Sequence, residues 1–476
     1  MKKKMKVSTH RAAWQRPAVR ALSAGVVVGA FGLSAWFHAA AAVAAPDTPA
    51  SSTAAASAQP ASGVSVSDAA IQRGAYLARV GDCVACHTAA PSGKNPAGQP
   101  FAGGLAIKSP LGTIYSTNIT PDPQHGIGNY TEAQFAAALR DGKRADGTNL
   151  YPAMPYPSYS KLTDSDVHDL YVYFMKGVKP VDTTPPQTAL SFPFNLRFGL
   201  SLWNWAFTQP GVFKPDTKLS ADQNRGAYLV EGLGHCGSCH TARGVAMQEK
   251  ALDGTGADYL GGATLNGWWA PQLRANGKAG GVASWNADEV VDYLSSGRNV
   301  HTTVGGEMKS VVEHSTSHMT DADLHAIAEY LKTLSVNQAT ATPAIDDAAR
   351  AATQAHLTAA KQLSLGERLY LDNCAGCHTV TGNGAARVFP ATAGNSMVNA
   401  KDPTGLIETI LRGAEAPSTA KSPERLPMPA FANRMNDDEV AQLATFVRSG
   451  WGNKGGSVSA SQVAKVRAQL STDAKE

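Results

Sequence analysis

Cys83-Val84-Ala85-Cys86-His87 is the stretch from which the rest of the chain can be read, because it returns as Cys236-Gly237-Ser238-Cys239-His240 and again as Cys374-Ala375-Gly376-Cys377-His378. The three copies use all six cysteines of the 476-residue chain. Paired cysteines alone fit a disulfide or half of a zinc site. A histidine directly after the second cysteine in every copy, in a chain with only 13 histidines, is instead the attachment pattern of c-type haem. The two thiols add across the porphyrin vinyl groups and the imidazole takes one axial position on the iron. Structural zinc would need a further recurring ligand near each pair, and no such Cys or His recurs. The sequence therefore predicts three covalently bound c-type haems on Cys83 and Cys86, Cys236 and Cys239, and Cys374 and Cys377, with the irons bound by His87, His240 and His378.

Working outward, Arg73-Gly74-Ala75-Tyr76-Leu77 precedes the first motif, Arg225-Gly226-Ala227-Tyr228-Leu229 precedes the second, and Gly366-Glu367-Arg368-Leu369-Tyr370 is a weaker echo before the third. The repeat length of about 140 to 150 residues is that of whole domains. Each repeat also closes on an amphipathic helix after a polar cap. Thr163 leads into Val167, Leu170, Tyr171 and Phe174; Thr320 into Leu324, Ile327, Leu331 and Leu334; Asn436 into Val440, Leu443 and Val447. Asn436 with Glu439 has capping-box spacing, as do Thr131 with Gln134 and Asn286 with Glu289 at the head of two further helices. The expected fold is all-α: three tandem mono-haem class I cytochrome c-like domains, 68–178, 223–336 and 362–452, joined by an aromatic linker (179–222) and an Ala/Thr-rich linker (337–361, helical near 348–360), with a C-terminal tail (453–476) that needs little core.

Residues 1–45 carry seven Lys or Arg and no acid, then an apolar run from about Ala21 to Phe37 and small residues at Ala42-Val43-Ala44-Ala45. That is the layout of a signal peptide, followed over 46–67 by an Ala/Ser/Thr/Pro tether. The seven basic residues exceed the whole formal charge of +4, so the rest of the chain is net acidic and offers no basic surface for nucleic acid. Without the leader no run of 18 apolar residues is left to span a bilayer. The interfacial candidate is Phe192 to Phe207, where Phe194, Phe198, Trp203 and Trp205 are interrupted only by Arg197; these aromatics suit either a headgroup layer or a protein interface. Val463, Val466 and Leu470 read as a weaker C-terminal surface helix.

A haem that only moves electrons needs a second axial ligand: Met raises its potential, His lowers it, and an open position invites catalysis. Met154, in Tyr151-Pro152-Ala153-Met154-Pro155-Tyr156, and Met428, in Leu426-Pro427-Met428-Pro429, lie at one place in their repeats, just ahead of the closing helix. The flanking prolines favour a stiff, extended approach. In the second repeat Met308 and Met319 both precede the helix, and His301, His314 and His318 share the loop. Met308 is 68 residues after His240, as Met154 is 67 after His87, and that spacing selects it over Met319. For the carbonyl that orients each haem histidine, Pro390 is the expected supplier in the third repeat, with Pro271 and Pro110 the candidates in the others.

With these motifs the chain resembles the tri-haem cytochrome c subunit of membrane-bound bacterial alcohol, gluconate, sorbitol and fructose dehydrogenases. The most telling pieces are Ser116-Thr117-Asn118-Ile119-Thr120-Pro121-Asp122 followed by Gly126-Ile127-Gly128, the Leu150 to Tyr156 loop, and Phe192-Pro193-Phe194-Asn195-Leu196-Arg197. The resemblance implies axial methionines at Met154, Met308 and Met428. It also implies a partner dehydrogenase subunit carrying FAD or PQQ (with, in places, a small third subunit), delivery of electrons to ubiquinone, and a peripheral location on the periplasmic face of the cytoplasmic membrane. Independently, the chain has no Gly-x-Gly-x-x-Gly after a strand and no P-loop, and c haems pass electrons singly, so a two-electron substrate oxidation must sit on a partner. The rival readings are a multi-haem redox enzyme of peroxidase or sulfur-compound oxidase type, and an oxidase-linked carrier.

Overall fold

The computed structural model describes residues 66–89, 98–109, 111–265 and 267–473. The predicted signal peptide, the tether as far as residue 65, and Pro110 lie outside them. In the first repeat α1 (Val66–Val80) runs into a single turn over the first motif, α2 (Cys83–Cys86), and is followed by α3 (Glu132–Asp141), α4 (Tyr156–Tyr159) and α5 (Asp164–Val172). After α6 (Gly199–Phe207) the second repeat has α7 (Ala221–Tyr228), α8 (Gly237–His240), α9 (Ala287–Ser296), α10 (Met308–His314) and α11 (Asp321–Leu331). The third has α12 (Asp347–Ala359), α13 (Leu365–Asn373), α14 (Ala375–His378), α15 (Thr404–Arg412), α16 (Asp437–Ser449) and α17 (Ala460–Asp473).

Helix starts follow the capping chemistry of the sequence. Thr131, Asn286 and Asn436 form reciprocal capping boxes with Gln134, Glu289 and Glu439, and Thr163 and Thr320 accept from the amides of Asp166 and Asp323. Two further boxes, Ser220 with Gln223 and Ser364 with Glu367, start α7 and α13.

Within each repeat the helix before the motif crosses the closing helix at a glycine. A Cβ on Gly74 would lie 2.0 Å from the Asp169 carbonyl oxygen, on Gly226 1.9 Å from that of Ala326, and on Gly366 2.3 Å from that of Gln442. An aromatic residue of the closing helix flanks each crossing: Tyr173, Tyr330 and Phe446. Only a residue without a side chain lets the two backbones approach this closely. The Arg-Gly-Ala-Tyr-Leu repeat is therefore a packing signature before it is anything else.

The loops between motif and closing helix, joined in the first repeat by a strand from the following linker, carry three short antiparallel ladders, which qualify the all-α expectation. They are β1 (Ala106–Ser109) with β2 (Gly112–Tyr115) and β3 (Ala189–Leu190), β4 (Ala263–Leu265) with β5 (Trp268–Ala270), and β6 (Ala414–Glu415) with β7 (Pro427–Met428). Irregular chain held against a core must pair its amides and carbonyls, and short ladders do so.

All described residues belong to one compact unit with two hydrophobic cores. One is continuous across the first two repeats, from Leu77, Leu162 and Leu170 to Tyr228, Leu229, Leu324 and Leu331; the other belongs to the third, around Tyr370, Ile407, Val440 and Trp451. The C-terminal segment departs from expectation. α17 packs on α15 and α16, burying Val463 and Val466 completely or nearly so, and Leu470 joins the same core. Three apolar residues on a narrow stripe fit a core groove as well as a membrane surface, and here the groove between two helices takes them.

Candidate haem sites

Each motif forms one helical turn that brings its histidine under a carbonyl. His87 Nδ1 is 2.7 Å from the Thr117 oxygen, His240 Nδ1 2.7 Å from that of Pro271, and His378 Nδ1 2.9 Å from that of Pro390. A carbonyl can only accept, so Nδ1 carries the hydrogen and Nε2 presents its lone pair. Burial lowers the pKa of all three imidazoles, which favours the neutral form that binds a metal. Pro271 and Pro390 stand where the sequence puts them. In the first repeat Thr117 has this place, and the signal for it is spacing: it lies 30 residues after its histidine as Pro271 lies 31 after His240.

All six cysteines are free thiols. In each pair the first (Cys83, Cys236, Cys374) lies partly buried against a core and the second (Cys86, Cys239, Cys377) is exposed. Burial pushes Cys83, Cys236 and Cys374 up to about 12. Among the described residues no three His, Cys, Asp or Glu side chains gather into a metal cage. A pair of free thiols beside a single oriented imidazole, repeated three times at a core edge, fits haem addition and axial ligation and does not fit a zinc site.

Met154 and Met428 are partly buried and pack against the first and second core respectively. Met428 is extended, paired with Ala414. Met154 instead sits in a turn, its amide bonded to the Tyr151 oxygen and its carbonyl to the Tyr156 amide, because Pro155 caps α4 instead of continuing an extended strand. In the second repeat Met319 is 9 % exposed and part of the core. His314 and His318 are exposed, and His301 stacks on Trp285 with ring centroids 5.8 Å apart while pairing with Glu289 at 3.1 Å. Met308, half-buried at the first position of α10, is the sulfur these neighbours leave unengaged by a core, and α10 packs on α2 of the first motif.

Two buried carboxyls beside the motifs have no signal in the sequence. Asp82, directly before Cys83, has one carboxyl oxygen with no hydrogen-bond partner, and burial pushes its pKa up to about 8. Glu249 accepts from Ser238 at 3.1 Å, leaves its other oxygen unpartnered, and is also raised by burial. The segment Phe192 to Phe207 divides its aromatics. Trp203 donates to the Ala246 carbonyl at 2.9 Å and Arg197 lies over the Tyr151 ring at 4.4 Å, both turned toward the protein. Phe192, Phe198, Leu202 and Trp205 are between 68 % and 82 % exposed. No described helix is long and apolar enough to cross a membrane.

Residues 363–451 match the cytochrome c family model. The chain is 46 % identical to the cytochrome c subunit of a quinone alcohol dehydrogenase of Gluconobacter oxydans, over 84 % of this chain and 82 % of that protein. It is 43 % identical to the cytochrome c subunit of a gluconate 2-dehydrogenase of Pantoea cypripedii (84 % and 90 %) and 40 % identical to the cytochrome subunit of a fructose dehydrogenase of Gluconobacter japonicus (84 % and 82 %). The chain belongs to this family of dehydrogenase cytochrome c subunits, whose role is electron transfer within a dehydrogenase complex.

Proposed function

We propose that this cytochrome c subunit is a three-haem conductor: it takes electrons from a partner dehydrogenase subunit carrying FAD or PQQ and delivers them to ubiquinone at the periplasmic face of the cytoplasmic membrane. The observation that carries the reading is the threefold recurrence of two free thiols, a carbonyl-oriented histidine and a methionine loop ahead of the closing helix. Cys83, Cys86, Cys236, Cys239, Cys374 and Cys377 would hold the haems, and His87, Met154, His240, Met308, His378 and Met428 their irons. Bound haem would supply one-electron exchange between ferric and ferrous iron. The chain orients each imidazole through a carbonyl, and the methionine sulfurs would supply the second ligand to each iron. Residues 68–178, 223–336 and 362–452 would be the three haem-bearing domains, and 1–45 the export signal.

The exposed face of Phe192, Phe198, Leu202 and Trp205 is the proposed peripheral membrane contact, since large rings with no charge among them favour the headgroup boundary. The test is to purify the exported protein, count haem against protein, and identify what copurifies. Three haems, a flavin- or PQQ-dependent dehydrogenase, and substrate-driven reduction of ubiquinone by the complex are expected. Fewer than three haems, or carbon monoxide binding fully to one reduced haem in the native complex, would overturn the reading in favour of a catalytic haem.

A further inference from the structure

The contact between the first two repeats is reciprocal. Tyr76 on α1 donates to Asp323 of the second repeat at 2.5 Å, and Tyr228 on α7 donates to Asp166 of the first at 2.5 Å. Each aspartate is also held by the arginine of its own repeat: Asp166 by Arg73 at 2.6 Å, Asp323 by Arg225 through two bonds of 2.8 Å. Each tyrosine oxygen in turn accepts from the amide of the other repeat's helix cap, Thr320 at 3.4 Å and Thr163 at 3.2 Å. Residue for residue this is an isologous interface of the kind found in two-fold dimers, here within one chain. Nothing in an electron-transfer role requires such a symmetric clasp unless the relative position of the two halves matters.

What the clasp positions is the pair of attachment segments. Ser315 of the second repeat donates to the Val80 carbonyl at 3.1 Å, and the Leu233 side chain would be 2.9 Å from a Cβ on Gly81. Tyr159 donates to the Gly81 carbonyl and meets the His235 ring edge-on at 5.6 Å. A buried ion pair, Lys161 with Glu231 at 2.9 Å, ties the same two repeats, with both side chains at most 10 % exposed. Thus the two attachment segments meet at Val80, Gly81 and Leu233, and Cys83 and Cys236 pack against the same continuous core.

The third repeat is joined differently. It has its own core, and although the buried Arg298 guanidinium donates to the Glu424 carbonyl and Asn395 donates to the Thr302 hydroxyl at 3.3 Å, four of its side-chain links to the second are ion pairs near the surface: Arg387 with Asp292, Arg425 with Glu313 at 2.9 Å, Lys421 with Asp321 at 2.7 Å and Lys309 with Glu415 at 2.9 Å. Exposed pairs of this kind contribute roughly 0 to 1 kcal/mol each and are screened by salt, whereas buried hydrogen bonds are screened much less.

We propose that the first two repeats form a clasped two-haem unit in which Tyr76 and Tyr228 are positioning residues that fix the separation of its centres, so that electron exchange within the pair is independent of salt while exchange with the third centre depends on it. The inference rests on haem at each motif. The step itself balances without chemistry on the protein: one iron loses an electron, the other gains it, and no bond or proton moves. Because tunnelling falls off exponentially with distance, a small loosening of the clasp slows the step without unfolding the chain.

The test uses the full haem-loaded chain, photoreduced by less than one electron per molecule, with redistribution among the haems followed from low salt to about 1 M, where the screening length falls to about 3 Å. Two phases are expected, one unchanged by salt and one slowed several-fold. Tyr76→Phe with Tyr228→Phe should slow the salt-independent phase several-fold and weaken the magnetic coupling between two of the three ferric haems, leaving circular dichroism and the salt-dependent phase unchanged. Arg387→Ala with Lys421→Ala should do the reverse. Equal salt response of both phases, or a double tyrosine variant with unchanged coupling and kinetics, would overturn the inference. A count of fewer than three haems would instead sink the functional reading on which it rests.

Discussion

Gly226→Ala is expected to destabilise the protein although alanine is the better helix former. An alanine Cβ at this position would lie 1.9 Å from the Ala326 carbonyl oxygen and 2.7 Å from the Tyr330 Cβ. Carbon–oxygen contacts are comfortable only from about 3.3 Å, so α7 and α11 must separate or slide by about 1.4 Å. A backbone oxygen cannot rotate aside as a side-chain end can, and both helices carry buried residues, Ala227, Tyr228, Leu324 and Ile327, that would lose contact. Overpacking of this kind costs up to about 3 kcal/mol, from which the helix propensity of alanine recovers about 1. The net loss is about 2 kcal/mol, or about 4 to 8 °C in the thermal midpoint for a cooperative block of this size. Far-ultraviolet circular dichroism during heating reads it, with Gly199→Ala, where no atom lies within 4 Å, as a control expected to move by less than about 0.5 kcal/mol. An unchanged or raised midpoint for Gly226→Ala would refute the close crossing, and with it the explanation of the repeated Arg-Gly-Ala-Tyr-Leu segment.

Met319→Ala should lose about 2 to 5 kcal/mol of stability, as a core deletion, with all haem spectra intact, whereas Met308→Ala should cost far less and create one carbon monoxide-binding haem; the opposite pattern would make Met319 the ligand. Asp82 has a folded-state pKa raised to about 8 by burial, so its contribution is full below its unfolded value near 4 and is lost as pH rises through 8. Asp82→Asn should therefore raise the thermal midpoint more at pH 8 than at pH 4, and an equal effect at both would contradict the burial. Trp205→Ser with Phe198→Ser should reduce flotation of the mature protein with liposomes; Trp203→Ser, whose indole is bonded to Ala246, should reduce it less, and undiminished binding of the first variant would exclude this face.

The parts of the fold that were legible are those set by chemistry between near neighbours in sequence. Asn436, Thr131 and Asn286 announce their helices because the cap and its partner are three residues apart. The three motifs announce their shared local geometry because both thiols and the imidazole fall within about one helical turn. Two carbonyl partners were marked by a rigid residue, Pro271 and Pro390, while Thr117 does its part through a backbone oxygen that any residue would carry and has only its spacing from His87 to mark it. Val463 and Val466 were misread because a three-residue stripe carries no information about what covers it, and the covering surface, α15 with α16, depends on how the whole third repeat closes. Asp82 is a polar residue next to a cysteine in the sequence, and becomes unusual only when the second repeat packs over it.

The second site, where the sequence argument is thinnest because Met308 has no flanking prolines, is held by elements of both neighbouring repeats. On one side α10, which begins at Met308, packs on the first motif's helix. On the other, in the loop leading to it the His301 carbonyl accepts from the Ala391 amide at 3.1 Å and the Thr302 hydroxyl accepts from the Asn395 side-chain amide at 3.3 Å. The peptide between Pro390 and Ala391 thus serves two sites at once, its carbonyl oxygen holding His378 and its amide holding the loop ahead of Met308. A haem that turned over a substrate would need an approach path and room for its distal loop to move. A loop bonded to one neighbouring repeat and leading into a helix packed on the other has less room to move, and that restraint is what the proposed conducting role would need at the second site.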